Sequence, residues 1–210
     1  MKNNIFSITK LMIAFFLCAM GIVLTINVKL GLAPWDVFHS GVSKEINITL
    51  GQANIAVGIV VIIKNMILGE KLGWATLLNV VAVGIFIDIL MFNNLIPLFE
   101  GLALRIIMMI FGLILIGFGT YLYLSVGWGA GPRDGLMVAV SKKTKKPVGL
   151  IRSSIELIAL TIGYILGGTV GGGTIVTAFL IGPIIQIIFR IFKFDVNKIE
   201  HKFIGQNVKL

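Results

Sequence analysis

Six apolar runs set the rhythm of the chain, at about residues 11–30, 52–68, 74–95, 104–126, 148–167 and 173–192. An α-helix needs about 20 consecutive apolar residues to cross a hydrocarbon core roughly 30 Å thick, so the pattern predicts six membrane-spanning helices. Between the first and second runs, and again between the fourth and fifth, lies a shorter and more polar segment. These segments cover residues 34–46 and 132–142 and are introduced by "GLAPWD" and "GAGPRD". As a helix, Pro34 to Ile46 would rise only about 20 Å, too little to cross, so neither segment is counted as a span. Each is expected to be re-entrant or interfacial.

Composition agrees with the pattern. With 57% hydrophobic and 13% charged residues among 210, the chain carries more apolar surface than a soluble domain of this size can bury. The first run follows a short basic start but is too long for a signal h-region and lacks a small-x-small cleavage site, so it is read as a retained helix. The single cysteine, Cys18, excludes a disulfide within the chain and is expected to be a small apolar helix residue.

The net charge of +9 is explained by where the charges fall. With Met1 cytoplasmic and six spans, 15 of the 18 Lys and Arg lie on the inner side, and Lys29, Lys44 and Arg105 lie outside. That is the positive-inside bias of a membrane protein with both termini in the cytoplasm. Counting the two short segments as spans would leave four basic residues outside instead of three, so charge does not decide between the two topologies. The run "SKKTKKP" is then a loop beside anionic headgroups and not a nucleic-acid patch.

A shift of 98 residues aligns 19–89 with 117–187 without a gap, and about 18 of the 71 pairs are identical. Matches among Leu and Ile carry little weight. Gly31/Gly129, Pro34/Pro132, Asp36/Asp134, Ser43/Ser141, Gly73/Gly171 and Thr76/Thr174 are informative, because hydrophobicity alone would not align them. The expected fold is therefore an all-α membrane protein of six transmembrane helices in two inverted three-helix repeats, each with a short re-entrant or interfacial helix. Its parts are a cytoplasmic N-terminus at 1–10, a first membrane repeat at 11–98, a second at 104–192 and a basic cytoplasmic tail at 193–210. Inverted repeats are a recurrent plan of secondary transporters, with the substrate at the interface of the halves. The alternative is that duplication does no more than build a stable six-helix bundle.

In "GLAPWD" and "GAGPRD", Gly31 or Gly129 is expected to end the preceding helix in a left-handed conformation. Pro34 or Pro132 suits the first position of the next helix, and Asp36 or Asp134 falls in its first turn, where the helix dipole favours a carboxylate. A well-made helix start accounts for all three. The functional alternative is that both starts face a cavity, with the acids as cation ligands and Arg133 as an anion clamp. Trp35 stands where the second copy has Arg133 and is expected to be an interfacial anchor on the outer side; His39 is expected at the same interface.

Ionisable residues inside spans usually face a cavity or a partner. Glu156 follows Arg152 by one helical turn and can pair with it, and Asp88 lies in the third span. With Asp36, Asp134 and Arg133 these are the candidate pathway residues. Asn79 and Thr177 suit helix-to-helix hydrogen bonds as well as they suit ligands. Pro183 would kink the sixth span. With His39 and His201 far apart and no P-loop ending in "GGTVGGGT", the sequence offers no metal site, no cofactor site and no catalytic constellation, and no enzyme is expected.

"GLAPWDVFHSGVS", "GAGPRDGLMVAVSKKT" followed by "IRSSIEL", and "LGGTVGGGTIVTAFLIGPIIQ" resemble the bacterial YczE/YitT-like integral membrane proteins over residues from about 10 to 192. The resemblance implies a multi-helix protein of the bacterial cytoplasmic membrane and supplies no substrate and no catalytic residue. The residues themselves favour a small secondary transporter or facilitator of a small polar or charged solute. The rival expectation is a non-transporting accessory or assembly protein. Expected partners are the lipid bilayer and a small solute, with a second copy or another membrane protein as further candidates.

Overall fold

A computed structural model describes residues 2–146, 148–194, 203 and 204; the side chains of residues 2–4, 138, 141, 142, 148–150, 152 and 153 lie outside the described set. The described chain forms eight α-helices: α1 (Lys2–Asn27), α2 (Pro34–Glu45), α3 (Leu50–Ile67), α4 (Trp74–Phe92), α5 (Leu102–Leu124), α6 (Pro132–Thr144), α7 (Val148–Ile165) and α8 (Gly172–Ile191). Six correspond to the apolar runs, α1 starting well before its run, and α2 and α6 are the two short segments. No strand occurs among the described residues; one isolated bridge joins Gly73 to Phe203.

Five helices, α1, α3, α4, α5 and α8, have the length and hydropathy to cross a bilayer. In α7, of 18 residues, the described apolar stretch is Ser154–Ile165. Large apolar side chains on these helices point away from the protein, with Ile67, Phe179 and Ile165 each at least three-quarters exposed. Water would oppose such a surface and lipid accepts it, so the chain is a multi-pass integral membrane protein in contact with the bilayer. The short helices, of 12 and 13 residues, rise about 18–20 Å and fall short of the hydrocarbon thickness.

Local chemistry explains the ends of several helices. Helix α1 starts at Lys2 and not at the boundary expected near residue 10, because nothing from Lys2 to Lys10 is a Gly or Pro that would stop it. The expectation that Gly31 and Gly129 terminate α1 and α5 is corrected. Those helices end at Asn27 and Leu124, and the left-handed residues that follow are Lys29 (φ 51°) and Gly127 (φ 72°), another pair 98 apart. Helix α3 starts in a capping box, with the Thr49 hydroxyl accepting from the Gln52 N–H at 3.0 Å and the Gln52 carbonyl oxygen accepting from the Thr49 N–H at 3.0 Å. Helix α8 passes through Pro183 without interruption.

Helices α1 and α5 pack against each other antiparallel: Gly119 lies beside Ala14 and Cys18, and Gly112 lies beside Gly21 and Thr25. Small residues allow this approach where lipid supplies no hydrophobic drive between helices. Contacts between the halves come in pairs related by the 98-residue shift. The Gly173 N–H donates to Leu30 O at 2.7 Å, and the Ala75 N–H donates to Trp128 O at 2.9 Å. Gly163 abuts Val37 and Phe38, and Asn65 abuts Gly135.

Gly31 (φ 118°) and Gly129 (φ 112°) have a second reason to be glycine. A Cβ on Gly31 would stand 2.6 Å from Gly171 N, and one on Gly129 would stand 2.7 Å from the Gly73 Cα. Backbone conformation and space both exclude a side chain. Gly129→Ala is expected to cost at least the roughly 1–3 kcal/mol of a strained backbone. Gly172→Ala, where an added Cβ meets nothing within 4 Å, should be neutral; thermal unfolding of the purified variants compares the two.

Candidate functional site

The linkers 28–33 and 125–131 lead to the first residues of α2 and α6, and both starts open on one cavity of about 190 Å³. Ala33 and Pro34 from one half and Gly131 and Pro132 from the other line it. Neither helix start is capped by a side chain of the preceding residue. Pro occupies the first position in both, so the N–H groups of Trp35 and Asp36, and of Arg133 and Asp134, begin the helices, and the positive ends of both dipoles meet the cavity. The remaining wall comes from α1, α3, α4, α5, α7 and α8, including Val57, Val61, Val80, Val83, Ile181 and Ile185.

Charge gathers where the two short helices meet. Arg133 lays its guanidinium over the Trp35 ring, 4.9 Å from the centroid, within the range of a cation–π contact. The carboxylates of Asp36, Asp134 and Glu156 all act electrostatically on Arg133. Asp36, 4% exposed, faces its own helix neighbour His39, with Oδ1 3.6 Å from Nδ1. The Tyr123 hydroxyl donates to Asp134 Oδ2 at 2.9 Å, fixing that carboxylate from the last turn of α5. Asn54 and Asn79 bring two side-chain amides to the wall from α3 and α4.

Of the sequence-derived pathway candidates, Asp36, Asp134, Arg133 and Glu156 all line this cavity. Asp88 does not. Its Oδ2 accepts from the Thr49 hydroxyl at 2.5 Å and its Oδ1 from the Gly51 N–H at 2.9 Å, so it closes the start of α3. The side chain of Arg152 lies outside the described residues. Thr177, fully buried, donates to Thr174 O at 3.0 Å within its own helix, and Asn79 reaches the cavity. Pro183 lies between Ile181 and Ile185, two lining residues.

Two expectations are corrected. Trp35 is not an outer anchor: it is 8% exposed, lines the cavity and packs with Val57, Val61 and Ala159. His39 is not at an interface; at 2% exposure it is buried against Asp36 in the same wall. The physical reason is shared. The linker carries the start of α2 into the protein, so its first turns face inward and leave Lys44 and Glu45 at the exposed end. Sequence reasoning also passed over Asn54 and Tyr123 as site residues. Asn54 carried a signal, since it is the counterpart of Arg152 under the 98-residue shift. Tyr123 carried none, being an aromatic in the last turn of an apolar span.

Comparison with known proteins agrees with the resemblance read from the sequence. Residues 5–190 match DUF6198, a family of unknown function. The chain is 39% identical over 172 residues to the uncharacterized membrane protein YczE of Bacillus subtilis, covering 80% of this chain and 78% of the relative. It is 34% identical over 185 residues to an uncharacterized protein of Haemophilus influenzae, with coverages of 88% and 84%. It is 30% identical over 201 residues to the uncharacterized protein YyaS of B. subtilis, with coverages of 93% and 94%. No solved structure matches the chain significantly. The chain belongs to the DUF6198 family.

The geometry separates two kinds of carboxylate. Tyr123→Phe removes a hydrogen bond to a charged acceptor and is expected to lower stability by about 1.5–3 kcal/mol. Asp88→Ala removes both bonds at the start of α3 and is expected to cost about 1–2 kcal/mol, the range for loss of a helix cap. Denaturation of the purified variants measures both.

Proposed function

We propose that this member of the DUF6198 family is a small secondary transporter or facilitator of a small polar or charged solute, working by alternating access between two inverted three-helix repeats. The observation that carries the reading is the cavity at the joint start of α2 and α6, lined by both halves and holding Asp36, His39, Arg133, Asp134 and Glu156. Ionisable groups inside a membrane protein are costly and persist where they serve a pathway. An accessory protein built as a dry, closed bundle has no use for them, and no catalysis is invoked.

Symmetry supports the reading. Under a two-fold relation between the halves, a residue can touch its own counterpart only near the axis. Trp35 and Arg133 are counterparts and stack. Cys18 and Ile116 are counterparts and meet, with the thiol 3.9 Å from the Ile116 carbonyl oxygen. All four line the cavity, so the axis passes through it, where substrate binds in inverted-repeat transporters. The antiparallel pairing of α1 with α5 fits halves of opposite orientation. On this reading α2 and α6 are re-entrant. Six linker residues can extend about 20 Å, and a helix of α2's length climbs back about the same distance.

The proposal includes six spans, with α7 as the fifth, in the bacterial cytoplasmic membrane with both termini cytoplasmic. Glu45 and Lys143 are exposed counterparts near the outer ends of α2 and α6. In a Cys18→Ser background, Glu45→Cys is expected to react with a membrane-impermeant maleimide added to intact cells, and Lys143→Cys only after the membrane is opened. Labelling of both from one side would sink the inverted arrangement.

Transport is tested in proteoliposomes across a panel of small metabolites. Flux of at least one solute is expected. It should fall by an order of magnitude or more, about 1.4 kcal/mol per tenfold, in Asp134→Asn and Glu156→Gln, while Asp88→Asn retains it. No flux of any solute, with a membrane protein partner that co-purifies at fixed stoichiometry, would favour the accessory role.

A further inference from the structure

We infer that α6 is the gate that opens the cavity in the solute-free protein, swinging from α3 about its own first turn while α2 stays docked on α7. That motion is a gating step of the transport proposed above, on which its purpose rests, and it is measured without flux. Each short helix packs against the end of a span from the other half, so the repeat supplies the comparison. Helix α2 meets α7 and the turn after it backbone to backbone. A Cβ added to Gly163 would strike Phe38 N, one added to Gly168 would strike Val37 O, and one on Gly41 would stand 2.7 Å from Gly163 O. In the last turn of α2 the Lys44 ammonium donates to Gly167 O at 2.7 Å. Contact therefore runs from the first turn of α2 to its last, of the small-residue kind that holds helices together in lipid.

None of these three glycines recurs in the other pair. Under the 98-residue shift Gly163, Gly168 and Gly41 correspond to Asn65, Glu70 and Ala139. A side chain thus stands between α6 and α3 where α2 and α7 have none. The Asn65 amide donates to Pro132 O at 2.8 Å, and a Cβ on Gly135 would stand 2.9 Å from Asn65 Nδ2. The first turn of α6 is held there, by the Tyr123 hydroxyl on Asp134 and by the stack of Arg133 on Trp35. At the far end Lys143 and Thr144 are exposed; the side chain of Lys142, the counterpart of Lys44, lies outside the described residues. A helix anchored at its first turn tilts about that turn, and the tilt carries Met137 out of the cavity wall.

An independent observation lies at the pivot. Asn65 is 2% exposed, yet its Oδ1 has no hydrogen-bond partner among the described residues. A buried acceptor left unpaired is costly. The cost belongs to the arrangement with α6 seated on α3, and it falls when α6 tilts and water reaches the oxygen. The linkers favour the same helix. Gly127 and Gly131 precede α6 where Lys29 and Ala33 precede α2, and glycine bends at lower steric cost.

The test is pulsed electron–electron distance measurement between spin labels on the purified full chain in lipid nanodiscs, in a Cys18→Ser background. Labels go on exposed positions that are exact counterparts: Lys143→Cys with Ile67→Cys across α6 and α3, and Glu45→Cys with Ile165→Cys across α2 and α7. The first pair is expected to show two distances and the second pair one. Asn65→Gly gives α3 the glycine that α7 has at Gly163, and it is expected to remove the longer distance of the first pair by letting α6 seat fully. Where that variant fails to fold, the two labelled pairs still decide. One distance in both pairs, or two distances across α2 and α7, overturns α6 as the gate. Flux with one distance in both pairs would leave transport standing and remove this gate; two distances across α6 and α3 without flux of any solute would do the reverse.

Discussion

The two linkers meet the starts of α8 and α4 backbone to backbone, Gly31 against Gly171 and Gly129 against Gly73, and the position of the short helices follows from those contacts. Each linker is irregular chain, with peptide groups that must find partners inside a protein surrounded by lipid. The partners come from the other half. Leu30 O accepts from the Gly173 N–H, Trp128 O accepts from the Ala75 N–H, and Ala130 O accepts from the Thr76 hydroxyl at 2.6 Å. A Cβ at any of these glycines would hold the linker away from the helix start that satisfies it. The halves therefore complete each other's backbone, and the cavity is the space left where the two linkers turn into helices.

The chemistry placed in that space differs between the halves although the backbone plan does not. Counterpart positions pair Trp35 with Arg133, His39 with Met137, Asn54 with Arg152 and Gly58 with Glu156. Asp36 and Asp134 are the shared acids, and each is anchored differently: one faces a histidine on its own helix, the other accepts a phenol proton from α5. A symmetric frame with an asymmetric lining can offer similar openings to two sides while holding a solute in one orientation.

Much of this was legible in the sequence because periodicity and repetition report backbone. All eight helices were visible as apolar runs or as helix-starting phrases, and Pro34, Pro132, Asp36 and Asp134 fell in the first turn as the dipole argument required. Depth was harder to read. Trp35 reads as an interfacial anchor because Trp usually is one, and it is buried because the linker carries the start of α2 into the protein, a property of the fold that hydropathy does not record. Asp88 has the composition of a pathway acid and the position of a cap. The difference lies in Thr49 and Gly51, 39 and 37 residues away in sequence, and no local pattern joins them.

On the transport reading, the stacked Trp35–Arg133 pair places a condition on any exchange between openings. If the halves trade conformations, positions that are equivalent by the repeat must exchange surroundings, but Trp35 and Arg133 touch each other and cannot separate without removing a cation from an aromatic face in a desolvated site, a contact worth about 2 kcal/mol. Motion that keeps them together, with the halves rocking about the axis on which they lie, avoids that cost. The small-residue contact of α1 with α5, centred on Gly21, Gly112 and Gly119, borders the same axis and presents little side-chain bulk to resist such rocking. Closure would then be made away from the axis, at the outer ends of α2 and α6, where Lys44, Glu45, Lys143 and Thr144 are exposed.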